Sequence, residues 1–414
     1  MSAFARRHFN RRTFLRFLAS SPLFAYIGGS GILLAPRSGA RAADEVPESS
    51  ADISSPDQAL NVFDLEAVAR KNLPPAHFAY IATGVESDLT IRANRAGFTK
   101  FQIRARRLVD TSRLDTRVEL FGTTWPTPIV LAPVSSQRAF HPDGEIAVAR
   151  AARARNHLQI LSTLTTASVE DVIAARGAPV WYQLYPTMDW SITRALVKRA
   201  EAAGCPVVAL TVDNTTSALR ETLARGRRLD SRNCATCHDA GPGGSYRRKP
   251  MFEGIDVSKL GNVLTSHMTW DFVRRLQDTT SMKVVIKGIV TAEDAALALE
   301  HKVDGVIVSN HGGRSEESIR STIESLPEVV DTIGSRIPVL VDSGFRRGSD
   351  IFKALALGAN AVCVGRPYAW GLAAFGQAGV DRSLELLKAE LEVTMRSMGT
   401  PSVHSITRNF VQRA

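Results

Sequence analysis

From residue 128 to residue 367 the chain repeats one pattern: an unbroken apolar run, a polar or small residue at its end, then an amphipathic stretch. The runs read "PIVLAPVS", "LQILSTLT", "VWYQLY", "PVVALTVD", "KVVIKG", "DGVIVSNHGGR", "PVLVDSG" and "AVCVGRP". Runs rich in Val, Ile and Leu suit strands covered on both faces, as in a parallel sheet; a half-solvated sheet would alternate. Between them, segments such as "DWSITRALVKRAEAA" (189–203) and "SDIFKALAL" (349–357) place apolar residues at helical spacing. Eight such strands alternating with helices predict an α/β protein, a (β/α)8 TIM barrel.

In such a barrel the chemistry sits at the C-terminal ends of the strands. That rule selects Ser135, Ser162, Gln183, Tyr185, Thr211, Asp213, Lys287, Ser309, His311, Arg314, Asp342, Gly344, Gly365 and Arg366. The last two strands end in "VDSGFRRG" and "VGRP". Glycines let backbone N–H groups approach a ligand, and Arg346 and Arg366 can pair with phosphate oxygens, at the two loops where barrels commonly hold phosphate. A phosphorylated cofactor is therefore expected.

Composition changes this picture little. A chain of 414 residues, 44% of them apolar, accommodates one barrel of about 250 residues with extensions. The formal net charge of +10 would suggest nucleic acid, but much of it lies among Arg6, Arg7, Arg11, Arg12, Arg16, Arg37 and Arg41. No interleaving of basic and aromatic residues follows, so no nucleic-acid partner is expected. Of four cysteines, Cys205 and Cys363 sit in apolar runs and read as small core residues. No metal site is expected from the barrel residues.

The arginine-rich start, "NRRTFLRFLASSPLFAYIGGSGILLA", followed by "ARA" at 40–42, has the pattern of a twin-arginine export signal over residues 1–42. It predicts a periplasmic protein; left uncleaved, the same stretch would anchor it to the membrane. Residues 43–60 are polar and Pro/Ser-rich, a linker, leaving 61–414 for the barrel, with a long variable loop at about 214–282.

The motifs "APVSSQRAFHPDGE", "QLY", "LTVD", "KGI", "SNHGGR" and "DSGFRRGSDIFKALALGANAVCVGRP" occur here in an order and spacing that resemble the FMN-dependent α-hydroxy acid oxidases and dehydrogenases. The resemblance runs from about Asp64 to the C-terminus. It implies that His311 is the active-site base, Asp213 its partner and Arg314 the clamp on the substrate carboxylate, with Arg220 a second arginine on that carboxylate. It also implies that Tyr80 and Tyr185 hydrogen-bond the substrate. Lys287 would lie beside the flavin; Ser135, Ser162, Gln183, Thr211 and Ser309 would contact its ring and ribityl chain. Asp342, Gly344, Arg346, Gly365 and Arg366 would hold the ribityl and phosphate. These residue types suit the chemistry, since a planar guanidinium fixes an anionic acid by two parallel hydrogen bonds, and an imidazole with a carboxylate neighbour takes a proton near neutral pH.

The chain departs from the family at three places. From Asp213 the chain reads "DNTTSALRE", without the usual proline, Ser315, Glu316 and Glu317 follow Arg314, and Leu164 stands where the glycolate oxidases of the family have a pocket tryptophan. In the variable loop, "NCATCHD" sets Cys234, Cys237 and His238 at the spacing of haem c attachment. A local disulfide or a metal site are the other readings. The expectation is an exported FMN enzyme oxidising a lactate-like (S)-2-hydroxy acid, as an L-lactate dehydrogenase does, and handing electrons to a cytochrome or quinone-linked carrier. An oxidase making hydrogen peroxide and a non-catalytic flavin-binding redox module are the alternatives, and the resemblance implies a homo-oligomer, a tetramer.

Overall fold

The apolar runs become eight parallel strands: β1 (Ile129–Leu131), β2 (Ile160–Ser162), β3 (Trp181–Leu184), β4 (Val207–Thr211), β5 (Lys283–Ile289), β6 (Gly305–Val308), β7 (Val339–Val341) and β8 (Ala361–Val364). The computed structural model that shows them describes residues 53–232, 244–258, 260, 266 and 268–414. Each strand pairs with its neighbour in sequence from β2 to β8, and β8 pairs with β1. The ring closes between β1 and β2 through a bridge of Leu131 to Gln159 and a hydrogen bond from Leu131 N to the Leu158 carbonyl at 2.9 Å. All five residues of β4 and all four of β6 are buried, which is why these strands read as solid apolar runs.

Helices follow the strands and cover the ring. Trp190–Ala202, within the segment predicted from its spacing, starts at Asp189, whose side chain accepts from Ser191 N, and buries Ile192, Leu196, Val197 and Ala200 toward the barrel. Ser168 and Thr291 cap Val169–Arg176 and Ala292–Glu300 in the same way. After β8 the chain runs helically over Arg366–Met398, broken at Phe375 and Gly376. A Cβ on Gly376, at φ +59°, would stand 2.8 Å from the His141 ring, so the break needs glycine. Ahead of β1, helices Val62–Asn72, Pro75–Ala82 and Leu89–Ala96 precede a small hairpin of Val118–Leu120 with Thr123–Trp125. Phe101–Ile103 pairs with Val411–Arg413, tying the two sides of the chain together.

One expected boundary moves. The linker gives way before residue 60: Pro56–Gln58 form a 3-10 turn, Ala59 is fully buried, and Arg382 donates to the Asp57 and Ala59 carbonyls. Its polar composition gave no sign of that docking. The variable loop is partly ordered. It includes helices Glu221–Arg228 and Trp270–Gln277, and its Met251 and Phe252 are buried in the core. Among the described residues no helix is long and apolar enough to cross a membrane. The export signal lies outside the described residues.

Candidate active site

A cavity of about 1080 Å³ opens over the C-terminal ends of the strands. That is at or beyond the upper end of ordinary ligand pockets, roughly 300 to 1000 Å³. Along its floor, side chains at adjacent strand ends bond to one another. Ser135 Oγ lies 2.9 Å from Ser162 Oγ, Ser162 donates to Gln183 Oε1 at 3.1 Å, and Gln183 Nε2 donates to Thr211 Oγ1 at 2.9 Å. Lys287 Nζ continues the row, donating to Ser309 Oγ at 2.8 Å and lying 3.3 Å from Asp342 and 3.8 Å from Asp213. Burial alone would lower the lysine's pKa, but the two carboxylates outweigh it and hold it above the usual value. Ser135, Thr211, Lys287 and Asp342 line the cavity, and Ser162, Gln183 and Ser309 are buried in the same hydrogen-bonded row.

The turn after β6 presents the histidine. His311, Gly312 and Gly313 are all left-handed, at φ 58°, 70° and 73°. A Cβ on Gly313 would stand 2.7 Å from Ile91 N, so only glycine lets this turn lie against the helix Leu89–Ala96. Ser309 Oγ accepts from the His311 N–H at 3.0 Å, which orients the residue. Its Nδ1 lies 2.7 Å from Asp213 Oδ1 and its Nε2 3.0 Å from the Tyr185 hydroxyl. Burial pushes the His311 pKa down, and that outweighs the opposing pull of Asp213. The ring is therefore neutral at neutral pH, its Nδ1–H held by the carboxylate and its Nε2 lone pair accepting from the Tyr185 hydroxyl. Burial pushes the Asp213 carboxyl up, yet the neighbouring imidazole and the Lys287 ammonium outweigh it and keep the carboxylate ionised.

Two arginines stand beside the histidine. Arg314 donates to the Tyr80 and Thr83 carbonyls at 2.6 and 2.9 Å and lies 4.9 Å over the Tyr80 ring. Arg220, just ahead of Glu221–Arg228, donates to the Arg314 carbonyl at 3.1 Å. The missing proline after Asp213 thus does not divert the chain from the site. Burial and the adjacent Arg220 push Arg314 down to about 10, the signature of two cations crowded together without a carboxylate between them. The altered triplet after Arg314 has a structural use: Glu317 accepts from Leu89 N and Thr90 N at 2.7 and 3.0 Å.

Each site residue expected from the sequence in the described chain is at the cavity or directly behind its wall. Cys234, Cys237 and His238 lie outside the described residues. Gly344 is at φ +88°, and a Cβ there would collide with the Asn94 carbonyl, so packing alone already demands glycine. Cys363, expected as core filler, is buried but also lines the cavity. Lys249 went unread: its Nζ donates to Ser136 Oγ at 2.7 Å at the cavity wall. In a sequence it is one more cation in a basic loop, with no period to mark it.

A family model described as FMN-dependent dehydrogenase matches residues 69–413. The chain belongs to that family. It is 39% identical to glycolate oxidase 3 of Arabidopsis thaliana over 364 residues, 85% of this chain and 95% of the relative. It is 40% identical to a peroxisomal (S)-2-hydroxy-acid oxidase of Oryza sativa subsp. japonica over 359 residues, with the same coverage. Among solved structures, a soluble mutant of the membrane-associated (S)-mandelate dehydrogenase from Pseudomonas putida superposes with a TM-score of 0.78 at 35% identity, covering 86% of this chain and 99% of that one.

The cavity of this family member suits FMN on its own features. Arg346 and Arg366 both line it, and neither has an ion-pair partner among the described residues. Arg346 is pushed down to about 9 by burial and by Arg95, and Arg366 well below its usual value by burial, Arg314 and Arg346. Buried guanidiniums that repel one another at a cavity wall call for an anion, and a phosphate monoester supplies it. Arg366→Ala is therefore expected to weaken FMN retention about ten- to hundredfold. FMN fluorescence released on dilution measures this. Arg366 also donates to the Ile81, Thr83 and Gly312 carbonyls, so a melting curve of the apoprotein is needed to separate lost folding from lost affinity. Wild-type retention in a folded variant would remove Arg366 from the phosphate site.

Proposed function

We propose that the protein oxidises an (S)-2-hydroxy acid to the 2-oxo acid and passes the electrons to a cytochrome or another one-electron carrier outside the cytoplasm. The observation that carries this reading is the arrangement of His311 at the cavity: Nδ1 fixed by Asp213, Nε2 beside the Tyr185 hydroxyl, and Arg220 and Arg314 lining the same cavity. Arg314 and Arg220 would bind the substrate carboxylate and so set which face of the α-carbon is presented. The Tyr185 hydroxyl, already 3.0 Å from His311 Nε2, would hydrogen-bond the substrate's hydroxyl oxygen, and Tyr80 would close the pocket beside Arg314. His311 Nε2 takes a proton from the substrate, and Asp213 stabilises the resulting imidazolium. When bound, FMN supplies the acceptor for the electron pair leaving the α-carbon. Ser135, Thr211, Lys287, Asp342, Arg346 and Arg366 are the cavity residues that would hold it.

The test is anaerobic mixing of the FMN-loaded protein with a panel of short (S)-2-hydroxy acids, lactate among them. Bleaching of the flavin band with release of the 2-oxo acid is expected; an unbleached flavin across the panel would end the reading. The oxidase names of the curated relatives favour the second reading, electron transfer to oxygen. Air-dependent turnover yielding hydrogen peroxide would establish it; with a carrier, reoxidation by oxygen stays slow beside reoxidation by a ferric cytochrome. Export through the twin-arginine signal and haem c on Cys234 and Cys237 belong to the same proposal. Protein matured with a cytochrome c assembly system would gain a Soret band and one haem in mass, and Cys237→Ser would lose both. A mass equal to the processed polypeptide removes the haem.

A further inference from the structure

Lys249 is held where a surface lysine would not be. The turn that follows it, Pro250–Phe252, is pinned by buried Met251 and Phe252 and by Arg199, which donates to the Pro250 carbonyl at 2.6 Å. The ammonium reaches the cavity wall and donates to Ser136 Oγ at 2.7 Å, and Ser136 N in turn donates to the Leu164 carbonyl at 3.0 Å. Among the described residues no carboxylate is within ion-pairing distance of it. Burial lowers its pKa, opposed only by the charge of Glu145. That carboxylate is committed elsewhere: Oε1 accepts from Gln137 N and Thr166 N, and Oε2 from Thr166 Oγ1. The two carboxylates that line the cavity are also paired, Asp230 with Arg232 and Asp342 with Lys287.

The ring order places this cation. Ser136 follows β1 and Leu164 follows β2, while Arg314 follows β6, four places from β2 in a ring of eight. Leu164 and Ser136 line the same cavity as His311 and Arg314, from the other side of the ring. A hydroxy acid with its carboxylate on Arg314 and its α-carbon beside His311 would find the β1–β2 side of the same cavity available to its remaining chain. We propose that Lys249 is a specificity-determining residue that pairs with a second carboxylate, so that the preferred substrate is a 2-hydroxydicarboxylate of four or five carbons. A distal anion would replace the hydration that the partly buried ammonium has lost, and an alkyl chain would not.

This inference rests on the hydroxy-acid reading above, and its test separates the two. Full-length FMN-loaded protein is compared on (S)-2-hydroxyglutarate and (S)-2-hydroxypentanoate, which share a five-carbon chain and differ in the distal carboxylate. The ratio of their kcat/KM values is expected to favour the dianion at least about tenfold, to fall about thirtyfold in Lys249→Met, and to survive largely in Lys249→Arg. Binding gives a readout free of turnover: dissociation constants of 2-oxoglutarate and 2-oxopentanoate, from perturbation of the oxidised flavin spectrum, should show the same swing. A wild-type ratio at or below one, or an unchanged ratio in a Lys249→Met protein that retains flavin, overturns the inference alone. If neither acid nor any of the panel bleaches the flavin, the hydroxy-acid reading fails and the inference fails with it.

Discussion

His311→Gln is expected to slow reduction of the flavin by 2-hydroxy acids about 10⁴-fold, about 5.5 kcal/mol in the barrier, while FMN stays bound. Glutamine keeps the backbone N–H that donates to Ser309 Oγ, and it fills a comparable space, but it takes no proton. The cavity residues proposed to hold the cofactor are others, Ser135, Thr211, Lys287, Asp342, Arg346 and Arg366, so the spectrum of the bound flavin should be nearly unchanged. Anaerobic single-turnover mixing measures the step directly. A rate within about tenfold of wild type, about 1.4 kcal/mol, would mean that another group takes the proton.

Asp213→Asn is expected to cost about 10³-fold in the same step, because the amide neither stabilises the imidazolium nor enforces the Nδ1–H tautomer. It carries a second, diagnostic effect. In the wild-type protein the rate should be full above pH about 6.5 and be lost as pH falls through the lowered His311 pKa, since only the neutral ring accepts a proton. Asp213 is the group that raises that pKa against burial. Removing its charge lowers the pKa further, so the acid limb should move to lower pH even as the plateau drops. A limb that stays in place or moves up would mean that Asp213 acts only as packing. Lost packing alone has no reason to move the pH profile downward.

The sequence by itself determined the barrel and most of its rim. Runs such as "PVVALTVD" and "DGVIVSNHGGR" cannot alternate between core and solvent, so they had to be covered on both faces, and eight of them with intervening helices leave few architectures. Because a barrel puts its chemistry at the strand ends, Lys287, His311, Asp342 and Arg366 were identifiable from position alone. Tyr80 and Arg220 were not: one sits on a helix before the barrel, the other ahead of a helix inside a long loop, and only family resemblance marked them. What the tertiary structure alone decided are the relations between distant segments. It brought Asp213 within 2.7 Å of His311, 98 residues away, and set Lys287 between two carboxylates, which keeps the lysine protonated and Asp213 ionised. It joined Ser135, Ser162, Gln183 and Thr211 into one hydrogen-bonded row, and docked a stretch of linker whose composition reads as solvated. It placed Lys249, 113 residues from Ser136, against the cavity wall. A cation's meaning depends on which carboxylates are near it and how much water it has lost, and both are properties of the closed ring rather than of the local sequence.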